Sequence, residues 1–361
     1  MSDAASAPPR VLHLVTDPGR FGAQNFARDL HAELLRRGQP SELRALHPQP
    51  RTSQGAPADD LPVLGPSGYH PTALRALRAA AREADVVVAH GSTTLQACAL
   101  GLLGSGIPFV YVTSGDPRTG PDGWARRLWT AAFLHCAAAV SAVSDGARQV
   151  LIQSCRLPAA RVRTIPNGRA TERFRPAGSE EERRCARELL GLPARGPLVA
   201  WIGSAAADKR FDLALDVLDR LPDVHLAVAG DCPLPDSQTD HTGRAHFLGR
   251  LADSAPLYRA ADALLLTSDS EGVPGALIEG TLAGLPAVAT DVGWVRDLVL
   301  DGVTGALVGP GDAAALAEAL GKVLAGSARL GAAAREHTLA RFDLAVVTDA
   351  WLLLLQQVAS R

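Results

Sequence analysis

Along the first half of the chain, short apolar runs alternate with longer stretches whose apolar positions recur every three or four residues. The runs are "VLHLVTD", "DVVVAH", "PFVYVTS" and "AAVSAVS"; between the first two lies "AQNFARDLHAELLRRG", which has the period of an amphipathic helix. Unbroken apolar runs separated by helical stretches predict a parallel sheet with crossover helices, because such a sheet is covered on both faces. The same rhythm restarts at "PLVAWIGS" (197–204) and continues through "DVHLAVAG", "AHFLGR", "DALLLTS" and "PAVATDVG". A second sheet of the same kind is therefore expected, with a linker near 167–178. The predicted organisation is α/β: a first domain over 1–174, a second over 175–338, and a final helix over 339–361 that packs back toward the first. The segment 47–68, rich in Pro, Gly and Ser, reads as a long loop.

Composition narrows the function classes. At 361 residues the chain exceeds the size at which a single core keeps growing, and 47% hydrophobic content is ample for two. A formal charge of -2 and a pI near 6.6 give no whole-protein reason to expect nucleic acid or an acidic membrane as the main partner. The five cysteines are scattered and show no metal-ligand spacing. The start has no apolar signal core, and the best apolar stretch, 95–113, is interrupted by Gly104, Gly106 and Pro108, which reads as a soluble cytoplasmic protein. The segment 123–139, with Arg126, Arg127 and two tryptophans, reads as a core helix with a solvated edge; peripheral contact with the inner face of a membrane, through a lipid-bearing acceptor, is the alternative. Among 36 basic residues all but Lys209 and Lys322 are arginine. Lys322 belongs to a polar helix face. Lys209 follows a strand in a loop, where a compact ammonium meets phosphate.

In open parallel sheets ligands bind beyond the carboxyl ends of the strands. The loops there carry Gly22, His90 and Ser114 in the first half, and Lys209, Asp231, Arg250 and the turn at Glu271 in the second. Around that turn the sequence "EGVPGALIE" (271–279) puts Glu271 in a loop, because Gly272, Pro274 and Gly275 delay the helix start, and puts Glu279 about one turn inside the helix. Either acid alone is consistent with a solvated carboxylate near a helix N-terminus.

Together with its surroundings this stretch carries a resemblance. The run "SDSEGVPGALIEGTLAGLPAVATDVGWVRDLVLDGVTGALVGPGD" resembles the donor-binding region of glycosyltransferase family 4, group 1 glycosyl transferases, which are retaining enzymes of the GT-B fold. "IPNGRATERFRP", "IGSAAADKRFD", "AVAGDCP" and "HFLGR" match in register, and "GRFGAQNFARDLHAELLRRG" with "VVVAH" match more loosely. The resemblance implies two Rossmann-like domains facing across a cleft, a nucleotide-diphosphate sugar as co-substrate with no cofactor, and transfer of its sugar to a hydroxyl acceptor. It implies that Glu271 contacts the donor sugar, that Glu279 holds the ribose hydroxyls, that Gly272, Val273, Pro274 and Gly275 belong to the donor-binding turn, and that the amides near Val273 to Ala276 face the diphosphate with Lys209. Gly22 would let backbone approach the same diphosphate, and His90 would serve the acceptor side. No metal is implied, and the Asp59 region lies in the long loop. The chain departs from the family at Ser114, where many relatives have histidine, at Ser204, where many have arginine, and at Trp294, where glycine is usual; either Lys209 would then bear more of the phosphate charge, or another arginine such as Arg210 or Arg250 would help. A nucleotide-sugar epimerase of the same fold, a phosphorylase, and a degenerate nucleotide-sugar-binding protein are the alternatives.

Overall fold

The computed structural model describes residues 7–19, 22–48, 61–113, 124–204, 206–232 and 243–360. Ser114, Asp59 and much of the long loop fall outside the described residues. The chain divides into two compact units, Met1–Gly168 with Leu344–Arg361, and Arg169–Asp343.

The first unit alternates strand and helix: β1 (Val11–Val15), α1 (Gly22–Arg36), β2 (Ser41–Ala45), α2 (Pro71–Ala81), β3 (Val86–His90), α3 (Ser92–Gly101), β4 (Phe109–Val112), α4 (Trp124–Cys136), β5 (Ala139–Ala142), α5 (Asp145–Ser154) and β6 (Val162–Thr164). Its strands form one parallel sheet in the order β2-β1-β3-β4-β5-β6. Every residue of β1, β3, β4 and β5 is buried, which is why these runs are apolar throughout and do not alternate. On α4, Leu134 is buried but Leu128 and Trp129 stand 61% and 66% exposed, so this helix shows solvent more apolar surface than a core helix with a polar edge would.

The second unit holds α6 (Glu180–Leu189), β7 (Leu198–Ile202), α7 (Phe211–Asp219), β8 (His225–Ala229), β9 (Ala245–Gly249), α8 (Ala255–Ala260), β10 (Ala263–Leu266), α9 (Gly275–Leu282), β11 (Ala287–Thr290), β12 (Gly305–Val308), α10 (Ala313–Ala325) and α11 (Ser327–Phe342). Its parallel sheet runs β12-β11-β10-β7-β8-β9. Val199, Trp201, Leu226, Val228, Leu265 and Val288 from its strands pack with Leu213 and Val217 of α7 and Leu316 and Leu320 of α10. The chain then returns to the first unit as α12 (Leu344–Ala359), where Trp351 is fully buried with its ring 6.5 Å from that of Phe26.

The crossing points differ from the expected ones. The units change at 168/169 and 343/344, against 174/175 and 338/339 from the sequence. A Cβ at Gly168 would lie 2.9 Å from Leu344 Cα, so its backbone packs directly on the first turn of α12. One residue later, the Arg169 N–H donates to Phe342 O at 2.9 Å and its guanidinium turns into the second unit. The expected single final helix is two, because Asp343 is extended (φ -62, ψ 128) and ends α11.

Candidate active site

In the second sheet the chain moves outward from β7 through β8 to β9 and then returns to place β10 on the other side of β7. Loops leaving β7 and β10 therefore diverge above adjacent strands, the arrangement that opens a crevice at the carboxyl ends of a doubly wound sheet.

Side chains tie these two loops together. Thr267, fully buried just after β10, directs its hydroxyl at the carbonyls of Lys209 and Arg210, both at 2.9 Å, and accepts the Trp201 indole N–H at 3.1 Å. The Asp269 N–H donates to Asp208 O at 2.7 Å. Held in this way, residues Ala207–Lys209 form one tight 3-10 turn, followed by Arg210 in the left-handed region (φ 48).

Lys209 Nζ then lies 2.8 Å from Glu271 Oε1, which also accepts the Ser268 hydroxyl at 2.7 Å. The Glu271 side chain is 9% exposed and that of Lys209 25%, so the carboxylate is nearly buried and the ammonium is the more open of the two. The backbone of Glu271 is fixed from the other side: Gly293 approaches so closely that a Cβ there would lie 1.7 Å from Glu271 O. Val273 and Pro274 are buried, and α9 begins at Gly275 with an extended Pro274 before it and no side-chain cap. The first N–H groups of α9 thus have no side-chain cap, and a helix start of this kind suits an anion.

Glu279, one turn into α9, is held on both oxygens. Oε1 accepts the Arg169 Nε–H at 3.0 Å, and Oε2 accepts the hydroxyls of Ser254 and Tyr258 at 3.1 and 3.0 Å. Burial, and then the adjacent carboxylate, hold the Tyr258 phenol well above its ordinary range, so it remains a donor. Nothing in the sequence pattern singles out Arg169, Ser254 or Tyr258 as partners of Glu279. Periodicity reveals which positions are buried, but not that a buried polar residue is aimed at one particular carboxylate.

Arg210 and Arg250, expected to make up for Ser204, already have carboxylate partners. Arg210 pairs with Asp212 at 2.9 Å and Asp269 at 3.4 Å, and Arg250 presents two guanidinium nitrogens to Asp231. Ser204 is exposed beyond β7. In the first unit Gly22 opens α1, is exposed, and has nothing within 4 Å of an added Cβ. His90 is not an open group at its strand end: it is 2% exposed, its Nε2 is 3.0 Å from Nδ1 of His13, and the Phe26 ring packs against it. Burial lowers the His90 imidazole to about 3 and lowers His13 well below its usual value, so both are neutral near pH 7. The partner was visible in "VLHLV", whose central histidine sits in a fully buried strand.

A cavity of about 930 Å³ lies at the opposite, amino end of the second sheet, lined by Glu181, Arg183, Arg184, Arg187, Arg195 and Asp262 among others. Arg183 and Arg187 share Asp262, and Arg184 pairs with Glu181, so it is a salt-bridged groove remote from the Glu271 turn. Among the described residues no three His, Cys, Asp or Glu side chains gather as metal ligands, and no helix is long and apolar enough to cross a membrane.

Two family models match this chain, Glycosyltransferase Family 4 over residues 22–173 and Glycosyl transferases group 1 over residues 196–326. The D-inositol 3-phosphate glycosyltransferase of Xylanimonas cellulosilytica is 34% identical over 196 residues, covering 48% of this chain and 46% of that protein. The chain spans about half the length of the curated relatives it matches. Among solved structures, HepE of Anabaena in complex with UDP and glucose superposes with a TM-score of 0.78 at 21% identity, over 96% of this chain and 99% of that one. Sucrose-phosphate synthase of Thermosynechococcus elongatus does so with a TM-score of 0.80 at 20% identity, over 97% and 99%. These likenesses show the fold to be GT-B. With one family model on each sheet and the paired Glu271 and Glu279 at the switch point of the second, the chain belongs to glycosyltransferase family 4, the group 1 glycosyl transferases.

Proposed function

We propose that this protein transfers a sugar, with retention, from a nucleoside diphosphate sugar to a hydroxyl acceptor. The observation that carries the reading is the Lys209–Glu271 contact of 2.8 Å beside the uncapped start of α9, at the switch point of the second sheet. The leaving group is a diphosphate, and its departure is limited by the negative charge that builds on the leaving oxygen. A fixed ammonium and a row of backbone N–H groups stabilise that charge without reorganising, which is where most of the rate gain arises. Glu271, with one oxygen on Lys209 and Ser268, turns its other oxygen to the donor sugar. Glu279, anchored on both oxygens by Arg169, Ser254 and Tyr258, takes the ribose. Retention follows from same-face attack, the departing phosphate oxygen taking the acceptor's proton. With the charge met in this way no metal is needed, and turnover survives a chelator. HepE, bound to UDP with glucose and in another crystal to UDP-glucose, makes uridine diphosphate sugars the first donors to try.

The two glutamates provide the test. Glu271→Gln is expected to keep affinity for the bare nucleoside diphosphate and lose turnover, because its contact is with the sugar. Glu279→Gln should weaken the nucleotide itself by about 1–3 kcal/mol, the range for a hydrogen bond to a charged group. Calorimetric titration with the bare nucleotide checks both; equal losses in the two variants would contradict the assignment.

A further inference from the structure

The geometry points to Arg169 as a positioning residue that leaves Glu279 one open acceptor direction, so that this glutamate takes a single ribose hydroxyl; the inference rests on the donor reading above. An ionised carboxylate offers about four lone-pair directions, two on each oxygen. Three are used here. Ser254 and Tyr258 occupy both directions of Oε2, and Arg169 Nε–H occupies one of Oε1.

None of the three donors is free to swing aside. The Arg169 side chain is 3% exposed, and its backbone is fixed where the chain enters the second unit: its N–H donates to Phe342 O, and it bridges to Asp343. Its Nη2 fills the space under the first turn of α9, where a Cβ on Gly275 would lie 2.9 Å away. Tyr258 is 1% exposed and packs edge-on against Phe174, ring centroids 5.9 Å apart. Ser254 is held at the start of the short helix that carries Tyr258. A vicinal diol that offered one hydroxyl to each oxygen of Glu279 would need a direction on Oε2, and both are taken. The ribose therefore meets Glu279 through Oε1 alone, and its second hydroxyl is read by another group.

Calorimetric titration with uridine, guanosine and adenosine diphosphates identifies the tightest, which is then compared with its 2′-deoxy and 3′-deoxy forms. In the wild-type protein one deletion should weaken binding about tenfold or more, the scale of one hydrogen bond to a charged group, and the other by less than about threefold. Arg169→Met frees the carboxylate to turn and should close that gap to under about threefold, while Arg169→Lys preserves part of it. Tyr258→Phe opens a second direction, on Oε2, so the previously silent deletion should now cost about threefold or more. Equal losses for the two deoxy forms in the wild type, or a wild-type gap in Arg169→Met, would overturn the inference. If Arg169→Met yields no folded protein, an unchanged gap in Tyr258→Phe overturns it. Failure of the wild type to bind any of the three diphosphates removes the donor reading and this inference with it, whereas equal losses remove the inference alone.

Discussion

At the scale of single residues, the His13–His90 pair shows how burial redirects a group that sequence position marks as reactive. His90 ends a strand at the edge where ligands bind, yet its ring points inward to His13 and not out of the sheet. The consequence is for stability. Its folded pKa, about 3, lies below the ordinary 6.5, so the unfolded chain binds a proton that the folded chain refuses as pH falls between those values. Stability from this group is complete above about pH 6.5 and is lost as pH falls toward 3, with a slope of about 1.4 kcal/mol per pH unit. His90→Gln should make the fall of the urea midpoint between pH 6 and pH 4 shallower by that slope. Parallel curves for wild type and variant would show that His90 is not held neutral. Lys209 is the opposite case: in a chain that writes nearly every cation as arginine, composition alone makes its lysine stand out, and its ammonium does lie 2.8 Å from Glu271.

Among elements, the central strands and the edge strand β9 were legible, and the edge strands β2, β6 and β12 were not. β2, β6 and β12 lie at the margins of their sheets with partly exposed patterns; "SELRA" and "VRT" lack the continuous apolar run that marks a strand covered on both faces, and "GALV" is only four residues long with a glycine at its start and another directly after it. The loop after β10 was legible as a motif, but what shapes it was not. Gly293, at φ 55, is compressed against the Glu271 carbonyl, a contact that chain order does not reveal. Gly293→Ala should therefore displace the Glu271 turn, lowering turnover well beyond its cost in stability. Gly311→Ala is the matched control: it has φ 83 with nothing within 4 Å, so only backbone strain of about 1–2 kcal/mol applies. Thermal unfolding and turnover of the pair separate the effects. Full turnover in Gly293→Ala would mean that the turn does not depend on that approach.

For the whole molecule, the two sheets and their restart were readable because each sheet repeats the same burial pattern, whereas the crossing points depend on contacts between residues far apart in sequence. Gly168 against Leu344 and Arg169 against Phe342 place them. The return of α12 makes the first unit discontinuous in sequence, and Trp351 is its anchor. The indole is fully buried, yet its N–H has no hydrogen-bond partner among the described residues. Trp351→Ala should cost about 3–5 kcal/mol, and Trp351→Phe far less, because it keeps most of the ring contact and removes an unsatisfied donor. Hydrogen exchange of the β1 and β3 amides reports both, and equal losses in the two variants would contradict this packing account. The claim on which the rest depends is that Lys209 and the start of α9 stabilise a departing nucleoside diphosphate. Its most direct test is diphosphate release from a panel of uridine, guanosine and adenosine diphosphate sugars, with and without hydroxyl acceptors, in wild type, Lys209→Ala and Lys322→Ala. The account predicts release from one donor class, a fall of about a hundredfold or more in Lys209→Ala, the scale of removing one well-placed stabilising group, and wild-type rates in Lys322→Ala, whose side chain is 74% exposed. Near-full release by Lys209→Ala from the same donor would contradict it.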